Sequence, residues 1–87
     1  MHRIYFDGNE GTEDHLYGLW LPRSVADLAR IPGGAAKGMR VTIYMTGEIE
    51  MEATLEWNPK WGAWTARPRD GTTRANTETW EDHAVPG

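Results

Sequence analysis

The chain has no cysteine and only one serine, Ser24. Without thiols it can hold neither a disulfide framework nor a thiolate-bound metal, and a nucleophilic triad would have to be built on Ser24 alone. That residue has another use. Ser24-Val25-Ala26-Asp27 matches the Asp form of a capping box, so Ser24 reads as a helix cap rather than a nucleophile. Also missing is any apolar run near the roughly 18–20 residues that cross a bilayer, and the first residues lack the basic segment and apolar stretch of a secretory signal. A cytoplasmic protein without a membrane partner is expected. An excess of positive charge is absent too: the net charge is −4, with acid and base balanced between Ala35 and Gly71 and both ends acidic. Duplex nucleic acid held through its phosphates needs a basic excess, so that class is disfavoured.

Metal and phosphate motifs fail on spacing. His2, His15 and His83 are scattered, without the i, i+4 interval that sets two imidazoles on one helical face around zinc. The segment Asp7-Gly8-Asn9-Glu10-Gly11-Thr12 starts like a calcium loop. It then places Thr12 where the turn needs glycine and Gly18 where a bidentate glutamate belongs, and so reads as a solvated acidic turn. Gly33-Gly34 and Gly38 follow a helix and precede a strand, the reverse of a phosphate loop. No metal, no cofactor and no enzymatic activity are expected.

What is present is alternation. Met39, Val41, Ile43 and Met45 point one way and Arg40, Thr42, Tyr44 and Thr46 the other. After Thr46-Gly47-Glu48 the pattern resumes with Ile49, Met51, Ala53, Leu55 and Trp57, the mark of half-buried strands. A three-residue loop sets Met45 opposite Ile49, Ile43 opposite Met51 and Val41 opposite Ala53, keeping every apolar side chain on one face. A second turn at Asn58-Pro59-Lys60-Trp61 leads into Ala63–Arg67, with Leu55 expected opposite Trp64, Ala53 opposite Ala66 and Glu52 opposite Arg67. Glu48, Glu50 and Glu52 then form a charged strip on the solvent face, with Arg67 and Arg40 as partners, rather than a catalytic pair.

Upstream, Arg3–Phe6 and His15–Leu21 read as two more strands, and a short helix is expected at about residues 24–31, stopped by Pro32-Gly33-Gly34. Five strands and one short helix between strands 2 and 3, in 87 residues, predict a mainly β single domain over residues 1–75. Its form is expected to be a curved antiparallel sheet or a partly open barrel broadly similar to SH3-like barrels, a likeness of architecture alone. Residues 76–87 are expected to be a tail, mobile or packed through Trp80.

The unusual abundance is tryptophan. There are five, three of them at Trp57, Trp61 and Trp64 around one turn. Trp64 is expected to fill core space and Trp57 to cover its end, while a four-residue loop puts Trp61 at the tip, where exposed rings commonly anchor partners. The leading expectation is a protein-interaction module that contacts an unknown protein through Trp57 and Trp61, with Tyr44 and nearby charges. Lys60, Arg67 and Arg69 interleave with these rings, so the alternative is single-stranded nucleic acid, with bases stacked beside a cationic track.

Overall fold

The computed structural model describes residues 1–78; Trp80, the expected anchor of the tail, lies outside them. The domain is mainly β with one short helix, built as a single open sheet of six strands: β1 (His2–Tyr5), β2 (Tyr17–Gly18), β3 (Arg40–Met45), β4 (Ile49–Asn58), β5 (Ala63–Pro68) and β6 (Arg74–Ala75). The strand order is β1-β3-β4-β5-β2, with β6 on β4, and the sheet does not close into a barrel.

The alternation of β3 and β4 is realised as expected: Met45 faces Ile49, Ile43 faces Met51 and Val41 faces Ala53 across an antiparallel hairpin. The inner face continues through Ile4, Phe6 and Leu19 to Leu55 and Ala66, all but out of reach of solvent. Burying each of the larger of these side chains stabilises the fold by roughly 1.5–3 kcal/mol. Leu28 and Ile31 cover this face from the helix side.

Several elements differ from expectation. β1 runs parallel to β3, with Ile4 beside Ile43 and Tyr5 beside Tyr44, so the sheet is mixed rather than antiparallel. Parallel neighbours need a crossover, and the helix α1 (Pro22–Ala29) lies in it. This helix starts earlier than residue 24 because Pro22 occupies its first turn behind Leu21, where a fixed φ and a missing N–H cost nothing. Ser24 is therefore inside the helix and caps nothing there. Its hydroxyl donates instead to the Tyr5 carbonyl at 2.6 Å, and Val25 beside it is 52% exposed.

The β4–β5 register is shifted by two residues from the expected one. Leu55 faces Ala66, Trp57 faces Trp64 and Thr54 faces Arg67, with Gly62 in the left-handed region at φ 59° closing the loop. Glu52 accordingly pairs with Arg40 at 2.9 Å, and Arg67 with Glu56 at 2.5 Å. The sixth strand, absent from the expectation, changes the acidic strip as well. Arg74 on β6 reaches Glu50 at 2.5 Å, Asn76 donates to the same carboxylate at 3.1 Å and Arg3 approaches it at 3.7 Å, so Glu50 is buried under partners instead of facing water.

Candidate functional site

Beyond Leu55 the inner face of β4 and β5 outruns its helical cover, and there the two strands carry Trp57 opposite Trp64. Their rings meet edge to face, with centroids 5.5 Å apart and planes at 75°, a favoured aromatic arrangement. Trp57 remains 50% exposed. Between this pair and α1 opens a groove of about 480 Å³, lined among others by Leu19, Trp20, Val25, Leu28, Trp57 and Trp64. None of its lining residues carries a charge.

Trp20 owes its position to a glycine. It follows Gly18 by two residues, on the same side of the chain, and its ring lies where a side chain on Gly18 would be: a Cβ there would stand 2.1 Å from two ring carbons. The indole N–H donates to Glu10 Oε2 at 3.0 Å, so the acidic turn that starts like a calcium loop serves to pin this ring. Asp7 in the same turn accepts from the Asn9 N–H at 2.9 Å and caps a 3₁₀ turn, Gly8–Glu10. Trp61, at the tip of the β4–β5 loop and 52% exposed, packs on Trp20 at 5.6 Å. The Lys60 ammonium stands 5.6 Å from the Trp61 ring centroid and 3.7 Å from Glu13.

Compared with protein-family models, with curated proteins and with solved structures, the chain finds no match.

The six residues singled out from the sequence occupy three places. Trp57 lines the groove, with Trp61 and Lys60 beside Trp20 at its margin. Arg67 and Arg69 line a separate hollow of about 260 Å³ with Arg40, Glu52 and Pro68. Tyr44 lies on the opposite face of the sheet, buried, its ring under the Arg3 guanidinium at 4.7 Å and its hydroxyl donating to Asp27 Oδ2 at 3.0 Å. Trp20, Val25 and Gly18 were missed. The available signal was Gly18-Leu19-Trp20 itself, since a glycine two places from a tryptophan on a strand leaves a seat for the ring.

Away from the groove, Glu56 and Tyr44 feel their neighbours. The hydrogen bond from Arg67 holds the Glu56 carboxyl below its usual range. Burial, and then the neighbouring Asp27 carboxylate, push the Tyr44 phenol above its ordinary value of 10.0. Folded protein thus keeps the Tyr44 proton to higher pH than unfolded chain does. The associated stability is whole below about pH 10 and is lost as pH rises through the folded-state value. Tyr44→Phe is expected to flatten this alkaline decline, read from urea midpoints on either side of pH 10; an unchanged slope would place the titration elsewhere.

Proposed function

We propose that this domain is a non-enzymatic protein-interaction module, acting in the cytoplasm, that receives a segment of another protein in the groove between α1 and the β4–β5 hairpin. The observation that carries this is the clustering of exposed apolar groups around one uncharged concavity. Val25 and Trp57, both about half exposed, line it, and the equally exposed Trp61 lies at its margin. Single exposed apolar residues are ordinary, but a contiguous set rarely stays in water without a purpose. Half of an indole is on the order of 100 Å², so covering each ring gains about 2–3 kcal/mol. Among the described residues no helix is long and apolar enough to cross a membrane.

Single-stranded nucleic acid has less support as the occupant. Stacking needs rings and cations along one track, whereas Arg67 and Arg69 line a hollow that shares no residue with the groove. Lys60, beside Trp61, is already shared with Glu13.

The test is a photo-crosslinking residue placed at Val25, activated in nuclease-treated lysate of the native host. The expected result is a defined protein adduct whose yield falls at least tenfold when Trp57→Ala is added, with the fold confirmed by circular dichroism. An adduct insensitive to Trp57→Ala, or the absence of any protein adduct, would sink the proposal.

A further inference from the structure

Resting on that reading, we infer that the segment the groove takes is proline-rich and extended, bound as a polyproline II helix. The inference starts from what the lining can and cannot offer. Its only side-chain hydrogen-bonding groups are three indole N–H donors. That of Trp20 is occupied by Glu10, while those of Trp57 and Trp64 donate to nothing among the described residues. The lining residues therefore offer apolar surface and two uncommitted indole donors, and no side-chain acceptor at all.

The electrostatic complement is a ligand that is apolar, rich in carbonyl oxygens and poor in N–H groups. A run of prolines has this character: its tertiary amides accept and cannot donate, its rings are apolar, and its polyproline II conformation leaves every carbonyl free of internal hydrogen bonds. It is also stiff before binding, so little conformational freedom is lost on docking.

Other modes fit the same surface less well. A docked helix has its carbonyls committed to its own backbone and would leave both indoles unpaired. A charged segment would bring ions into a lining without counter-charge. Strand addition needs an open sheet edge. Here the Trp64 carbonyl already accepts from Leu19 N–H at 3.0 Å, and β2 covers β5 at Thr65 and Ala66. At the far edge of the sheet, the outward N–H and carbonyl of Tyr5 are taken by Asp27 and Ser24.

The experiment titrates the isotopically labelled protein with a capped peptide of about ten prolines, roughly three turns of such a helix, and follows the indole Nε1–H resonances. Those of Trp57 and Trp64 are expected to shift together and saturate, and that of Trp20, held by Glu10, to move least. Trp57→Phe keeps an aromatic ring but removes one donor, and is expected to weaken binding about fivefold. Val25→Glu, exposed on α1, sets a charge in the wall and is expected to weaken it more than tenfold, with the remaining spectrum showing an intact fold.

Indole resonances that stay fixed up to millimolar peptide would overturn the inference. An amphipathic leucine-rich helical peptide run in parallel separates the two levels. If it shifts the same indoles while the proline peptide does not, the groove is an interaction site with a different occupant. If neither peptide moves them and the Val25 crosslink captures no protein, the functional reading falls as well.

Discussion

Asp27→Ala is expected to lower the unfolding free energy by about 3 kcal/mol, a large fraction of what holds a domain of this size together. The side chain is only 10% exposed, and one of its oxygens, Oδ2, accepts from two donors: the Tyr5 backbone N–H at 2.9 Å and the Tyr44 hydroxyl at 3.0 Å. Because β1 pairs with β3 through its alternate residues, with Phe6 N–H reaching the Tyr44 carbonyl, the polar groups of Tyr5 face the outside of the sheet. Another strand would ordinarily satisfy them. Here α1 does so with side chains, Ser24 taking the carbonyl and Asp27 the N–H. Removing the carboxylate takes the acceptor from the Tyr5 backbone N–H and one hydrogen bond from the Tyr44 phenol, and losing the acceptor of a buried backbone donor is more costly than the bond itself was worth. Asp27→Asn keeps an oxygen that can accept from both donors but loses the charge that strengthens those bonds, and a loss of about 1–2 kcal/mol is expected. Urea denaturation of the three proteins checks the ranking. Equal losses for Ala and Asn would show that the charge rather than the acceptor matters, and no loss for either would remove Asp27 from the account of the edge.

Gly18→Ala is expected to destabilise by about 1–3 kcal/mol, as overpacking does, and to reshape the candidate site at the same time. A methyl group at Gly18 would stand 2.1 Å from the Trp20 ring, far inside contact distance. The strand backbone is held by pairing with β5, so the ring must leave. It would take with it the hydrogen bond to Glu10 and the contact with Trp61. The combined signature is a lower urea midpoint, a changed tryptophan emission and weakened binding of any groove ligand. A second substitution, Trp20→Ala, relieves the clash, so the double variant is expected to be no less stable than Trp20→Ala alone. Strict additivity of the two losses would show that the ring and the methyl group do not meet.

Alternation carried most of what could be read beforehand. It set the β3–β4 register correctly because the three-residue loop and the apolar pattern agree on a single pairing. Across β4 and β5 the same pattern left a freedom of two residues, since a shift by two preserves every inside–outside assignment. The edge-to-face pairing of Trp57 with Trp64 goes with one of the two registers, and the sequence held a clue in Gly62, which fits the left-handed position that ends the loop. β1 and β6 were harder. A parallel partner is selected by the crossover and not by any local pattern, and β6 is two residues long, recognisable only through the Arg74 and Asn76 contacts to Glu50. The site was legible to the extent that its rings come from one hairpin. Trp57 and Trp61 were found that way. Trp20 and Val25 come from segments distant in sequence that only the folded sheet brings alongside, and Tyr44, grouped with the tryptophans, points to the other face because strand neighbours alternate.

The parallel pairing of β1 with β3 also bears on how the molecule is made. The β3–β4–β5 meander needs only neighbouring chain and can form by local closure, whereas β1 must wait for a partner that lies beyond the whole crossover. During synthesis, which releases the N-terminus first, Ile4 and Phe6 emerge long before Ile43 exists to cover them. β1, made before β3, is therefore buried later than its place in the chain would suggest. α1, which follows β1 and precedes β3, carries in Ser24 and Asp27 the groups that occupy the Tyr5 edge, so these partners of β1 are synthesised before its partner strand.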